Sequence, residues 1–115
     1  MTPPSRILVV EDEYMLAMHL HDGLCARGIE VVGPVPTLGA ALALLEPEPD
    51  FDAAILDVNL DGEKSYPLAQ RLQRAGIPFV FASGYDLAML PSEFAACPHC
   101  LKPVDLDQAL QQLGF

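Results

Sequence analysis

Short continuous runs of apolar residues, each stopped by an ionisable or hydroxyl group, are what most restrict the folds open to this chain. Ile7-Leu8-Val9-Val10 runs into Glu11-Asp12, Ala54-Ile55-Leu56 into Asp57, Phe79-Val80-Phe81-Ala82 into Ser83, and Leu101 into Lys102. Runs without polar alternation suit strands buried on both faces, as in a parallel sheet covered by helices. Ligands of open α/β sheets bind outside the carboxyl ends of the strands, so the groups closing these runs are expected to share one crevice.

The stretches between the runs have helical spacing. Leu16, Leu20 and Leu24 repeat every four residues, with Arg27-Gly28 as a basic last turn and a stop. Thr37 can cap a short helix carrying Leu38, Ala41, Leu42 and Leu45, ended by Pro47 and Pro49. A helix is expected from Tyr66 to Ala75 with Leu68 and Leu72 inward, and a last one from Asp105 to Leu113 with Leu106, Ala109, Leu110 and Leu113 inward. Strands are expected at Arg6 to Val10, Glu30 to Val35, Ala53 to Leu56, Phe79 to Ala82 and Cys100-Leu101; Pro34 and Pro36 place the second at an edge. Between Leu87 and Phe94 only a weak helix fits, because Pro91 interrupts it and Pro98 closes the segment. Strands alternating with helices predict a doubly wound parallel α/β sheet.

At 115 residues the chain, 1–115, fits one domain with a real core. Net charge is −10 and the six Lys and Arg are scattered, which argues against nucleic acid and anionic membranes and in favour of protein partners. No stretch is long enough to insert in a bilayer, and Met1-Thr2-Pro3-Pro4-Ser5 lacks the basic and apolar regions of a signal peptide, so a cytoplasmic location is expected. Three cysteines, an odd number, suit reduced thiols.

Three carboxylates, a hydroxyl and an ammonium in one crevice suit a divalent cation and a phosphoryl group. Mg²⁺ takes carboxylate, water and phosphate oxygens, and a Lys with a hydroxyl can hold the remaining phosphoryl oxygens. An Asp carboxylate can itself be the nucleophile. Asp57 carries most weight, since a carboxylate after a fully apolar strand is costly to bury unless paired or metal-bound.

In this order the residues resemble the receiver domain of two-component response regulators (CheY-like), with a flavodoxin-like sheet of order 2-1-3-4-5. The likeness implies that Glu11 and Asp12 are the acidic pair, Asp57 the phosphoacceptor, Ser83 the hydroxyl residue ending the fourth strand, and Lys102 the lysine of a Lys-Pro pair joined by a cis bond. Pro78-Phe79-Val80-Phe81-Ala82-Ser83-Gly84-Tyr85 resembles the Phe-Ala-Thr-Gly-Tyr subclass, many of whose members are stand-alone receivers with an atypical fourth helix; Asp57-Val58-Asn59-Leu60-Asp61-Gly62-Glu63 also fits that subclass. The chain lacks the Pro usual after the phosphoacceptor loop, has Gly84 where Ala is common, and has His99 where an aromatic switch residue often sits. These departures direct the expected switch through Tyr85 and the irregular segment.

The resulting expectation is a single-domain response regulator, phosphorylated on Asp57 by a histidine kinase or histidine phosphotransfer protein and signalling to an unknown downstream protein. Mg²⁺ would be held by Asp12, Asp57 and the Asn59 carbonyl, with Glu11 acting through water and with Lys102 and Ser83 on the phosphoryl oxygens. Such a protein assists its own phosphorylation and dephosphorylation without being a turnover enzyme. The alternative is a receiver-like binding module that is not phosphorylated. A small aspartate-nucleophile phosphatase is disfavoured by Asn59, where such hydrolases often carry an acid. Cys97-Pro98-His99-Cys100 imitates a redox motif but is followed by strand and turn, without the helix N-terminus that lowers a thiol pKa. His19 and His21 do not share a helix face, and Met15, Met18 and Met89 read as core filling or a docking face.

Overall fold

The apolar runs form the middle of a five-stranded parallel sheet. A computed structural model describes residues 5–46, 48–84 and 90–115. Its elements are β1 (Arg6–Val10), α1 (Tyr14–Ala26), β2 (Glu30–Val35), α2 (Leu38–Ala43), β3 (Ala53–Asp57), β4 (Asn59–Leu60), β5 (Glu63–Lys64), α3 (Tyr66–Ala75), β6 (Phe79–Ser83), a 3₁₀ turn (Ser92–Phe94), β7 (His99–Leu101) and α4 (Leu106–Gln112). The main sheet has the order β2-β1-β3-β6-β7. Counting only its five strands, this is the flavodoxin-like order 2-1-3-4-5, with β3 in the centre and β2 on an edge, as expected.

Alternate residues of each strand face two separate cores. On one side Ile7, Val9, Ile55, Val80, Ala82 and Cys100 meet α1 and α4 through Leu20, Leu24, Leu106, Ala109 and Leu110. On the other, Leu8, Val10, Leu56, Phe79 and Phe81 meet α2 and α3 through Ala41, Leu68, Ala69 and Leu72. Every residue of β3 and β6 is buried, which is why those runs carry no polar alternation. Among the described residues no helix is long and apolar enough to cross a membrane.

Several details differ from the sequence reading. In α1 the innermost residues are Ala17, Leu20 and Leu24, with Leu16 half-buried, because the helix begins two residues before Leu16 and its buried stripe follows the 3.6-residue turn. Met15 is 71% exposed and fills no core gap. A two-stranded antiparallel ribbon, β4 with β5, lies between β3 and α3 and turns at Asp61 (φ 52°) and Gly62 (φ 92°). This is the left-handed pair that a tight hairpin needs.

The expected irregular helix falls partly outside the described residues, as do Tyr85 and Met89. Within them, the segment from Leu90 to Pro98 holds a single 3₁₀ turn. Its anchor is Phe94, fully buried, stacked on Tyr66 (5.4 Å, 26°) and edge-on to Phe81 (5.5 Å, 77°). Gly33 kinks β2 against β1: its φ is +93°, and a Cβ there would sit 2.7 Å from Val35 N and 3.0 Å from the Val9 carbonyl. The pairing register shifts at that place, between Leu8 and Val10.

Candidate functional site

β1, β3, β6 and β7 are parallel neighbours, so the residues at their carboxyl ends come to one place. Glu11 is 3% exposed, Ser83 5% and Asp57 6%, a degree of burial unusual for polar side chains. Lys102 Nζ lies 2.7 Å from Glu11 Oε1 and 3.0 Å from Asp57 Oδ2, joining the ends of β1 and β3 to the strand at the edge. Its backbone N–H donates to the Ser83 carbonyl at 2.9 Å, and Lys102–Pro103 is a cis peptide. Asp12 is exposed at the rim, yet carboxylate oxygens of Glu11, Asp12 and Asp57 all lie within 4.8 Å of one another.

One ammonium among three carboxylates leaves a negative excess in a largely buried place. The Glu11 carboxyl is held up at about 7: burial raises it most, the Lys102 hydrogen bond lowers it, a hydrogen bond with Asp57 raises it again, and the Glu13 N–H lowers it. Burial pulls the Lys102 ammonium down, but its hydrogen bonds to Glu11 and Asp57 outweigh that and hold it above the ordinary lysine value. Hard oxygen donors grouped with unbalanced negative charge are what a divalent cation requires, so this cluster fits one.

Asn59 stands at the start of β4. Its N–H donates to Asp57 Oδ1 at 3.3 Å and its side-chain Oδ1 accepts from Gly62 N at 3.1 Å, so the side chain is occupied in holding the hairpin turn. What it offers the crevice is backbone. Gly84, next to Ser83, is exposed, and among the described residues nothing lies within 4 Å of where its Cβ would stand.

Glu13 was not singled out by sequence. Its Oε2 accepts from Leu16 N at 2.7 Å, capping α1, while its own N–H donates to Glu11 Oε2 at 3.1 Å. An acid immediately before an amphipathic run is a recognisable cap signal, masked here by two acids preceding it.

Other sequence candidates lie apart from the crevice. Cys97 and Cys100 are free, as is Cys25; His21 contacts Asp22 at 3.2 Å and lies 3.8 Å from Cys25 Sγ; His99 Nδ1 lies 3.3 Å from the Cys97 carbonyl.

Known proteins give the architecture a family. The chain is similar over its whole length, and over the whole of that chain, to SdrG from Sphingomonas melonis Fr1, with 44% identity and a TM-score of 0.85. It is similar, at 26% identity and TM-score 0.80, to a response regulator receiver domain protein (CheY-like) from Methanospirillum hungatei JF-1, covering 97% of this chain and 92% of that one. The chain belongs to the response regulator receiver domains. This receiver is also 30% identical over 95% of its length to the sensory transduction protein LytR of Staphylococcus haemolyticus (strain JCSC1435). It spans under half the length, 44%, of that curated relative. A second structure of SdrG, in a BeF3-activated conformation, matches the receiver at 44% identity with a TM-score of 0.82. No family model matches it.

Proposed function

We propose that this receiver works as a single-domain response regulator in the cytoplasm, accepting a phosphoryl group on Asp57 from a phosphohistidine of a histidine kinase or phosphotransfer protein and passing the signal on through protein contacts. The observation carrying this reading is the seating of Asp57. It stands at the end of the central strand, buried, with Lys102 Nζ at 3.0 Å and the carboxylates of Glu11 and Asp12 beside it. The BeF3-activated form described for SdrG supports extending phosphoryl chemistry to this chain.

In this reading Asp57 Oδ is the nucleophile toward phosphorus. Lys102, placed between Glu11 and Asp57, holds a phosphoryl oxygen while remaining charged, and Ser83 holds another from the neighbouring strand. Asp12, Asp57 and the Asn59 carbonyl would hold Mg²⁺, with Glu11 acting through water. Bound there, the ion would neutralise charge on the phosphoryl oxygens. Asn59 N–H on Asp57 Oδ1 fixes the carboxylate's orientation, and the absence of a side chain on Gly84 adds no bulk beside Ser83. The domain is then a substrate that assists its own phosphorylation and dephosphorylation by positioning.

Intact mass measurement with acetyl phosphate and Mg²⁺ tests this. The chain should gain one phosphoryl mass, and Asp57→Asn should gain none. Equal labelling of both, or labelling of neither, would overturn the assignment, the second result favouring a receiver-like binding module.

A further inference from the structure

Three acids stand in sequence at the end of β1, and the proposed site uses two of them. The third, Glu13, is exposed, and its geometry ties the other two to the first turn of α1. Its carboxylate Oε2 takes the otherwise unpaired N–H of Leu16 at 2.7 Å, while its backbone N–H reaches Glu11 Oε2 at 3.1 Å. Glu11 is therefore held at both oxygens, by Glu13 N–H on one and by Lys102 Nζ on the other. Asp12 lies between these two residues, so whatever fixes the backbone at positions 11 and 13 also fixes the base of the Asp12 side chain.

We propose that Glu13 is a positioning residue for the divalent-cation site: by capping α1 it holds the backbone on which Glu11 and Asp12 are presented. This rests on the reading of that crevice as a cation site. The cap sets where α1 begins and so where the Glu13 N–H points. Without the cap, the first turn of α1 frays, the N–H leaves Glu11, and that carboxylate is restrained by Lys102 alone. The cation then has to order the loop as it binds, and affinity falls. The mechanism acts through hydrogen bonding and not through Glu13's charge, because a carboxylate accepting a helix N-terminal N–H is already compensated there.

Titration of the full chain with Mg²⁺ alone, followed by amide chemical shifts, separates the two. Asp12→Asn is the control showing that the titration reports this crevice; if wild type binds no Mg²⁺, or Asp12→Asn binds equally, the cation reading itself fails. Given a sound control, Glu13→Ala should weaken Mg²⁺ binding by about tenfold, the low end for losing a group that orients a metal ligand. Glu13→Gln, which keeps a side-chain acceptor and loses the charge, should stay within about twofold of wild type, and Glu13→Asp, a stronger cap, should do the same. Should Glu13→Ala fail to fold, Glu13→Val takes its place, another poor helix cap, whose branched side chain suits the extended backbone at that position. Equal losses in Glu13→Gln and Glu13→Ala would make the effect one of charge, and no loss in Glu13→Ala or Glu13→Val would remove the role; either result overturns the proposal.

Discussion

Cys97 and Cys100 lie on opposite faces of the sheet: Cys97 packs beside the phenylalanine core under α3, and Cys100 is buried in the core under α1 and α4. Cys97 lies in the bend before β7 and Cys100 within that strand, and with their side chains in separate cores on opposite sides of the sheet the two thiols cannot reach disulfide distance without displacing β7 from β6. Burial also raises the Cys100 thiol above its ordinary pKa, which makes it less reactive. Treatment with a mild oxidant should therefore give no intramolecular bond between them by peptide mapping. A Cys97→Ser/Cys100→Ser chain should label with acetyl phosphate as wild type does, and a loss of labelling would reinstate a redox role.

Stability should fall as pH rises toward neutrality, and Glu11 should be a main cause. Its folded carboxyl titrates at about 7 against an ordinary 4.5, so the folded chain binds a proton that the unfolded chain releases. That contribution is fully present below the ordinary value and is lost as pH passes through the folded one. Urea midpoints measured from pH 4.5 to pH 7, the interval between those values, should decline in wild type and stay flatter in Glu11→Gln. Saturating Mg²⁺ should reduce the decline, since a cation favours the ionised form.

Lys102→Ala should destabilise the chain by on the order of 3 kcal/mol, because it leaves two buried carboxylates without their ammonium. If the crevice is a cation site, Mg²⁺ should recover part of this loss, and recover more in the variant than it adds to wild type. Thermal unfolding with and without Mg²⁺ measures both. A variant as stable as wild type in the absence of the ion would show that the ion pairs contribute no net stability.

Two glycines should respond in opposite directions to alanine. At Gly33 the backbone has a positive φ and a Cβ would press on Val35 N and the Val9 carbonyl, so Gly33→Ala should cost about 2 kcal/mol or more. At Gly39, in the first turn of α2, a Cβ meets open space, and Gly39→Ala should add on the order of a few tenths of a kcal/mol, less than in a helix interior. Denaturant midpoints of the two variants on either side of wild type would confirm the contrast.

The strands and the crevice were legible because burial on two faces leaves a strong trace: a run such as Phe79 to Ala82 admits few other readings. Asp57 and Lys102 followed from it, since the end of such a run is a fixed place in the fold. The β4–β5 hairpin was not legible, although Asp61-Gly62 is a hairpin signal, because strands of two residues have no periodicity to read. Phe94 belongs to a segment whose prolines argue against regular structure, and its burial comes from stacking on Tyr66, a tertiary contact that no local pattern encodes. Glu13 was hidden by its neighbours, three adjacent acids reading as one group with one purpose.

The prolines around the sheet have a consequence for how the chain behaves in a crowd. Half of its residues are hydrophobic, 51%, and an open strand edge on such a chain invites a neighbouring molecule to add a strand of its own. Along β2, Pro34 has no N–H to offer and Gly33 turns the backbone out of line. At the other edge β7 has three residues, preceded by Pro98 and followed within two residues by Pro103. Neither edge can be copied for more than a few residues, so Pro34→Val, which restores a donor at the first of them, is the substitution most apt to turn a dispersed protein into an aggregating one.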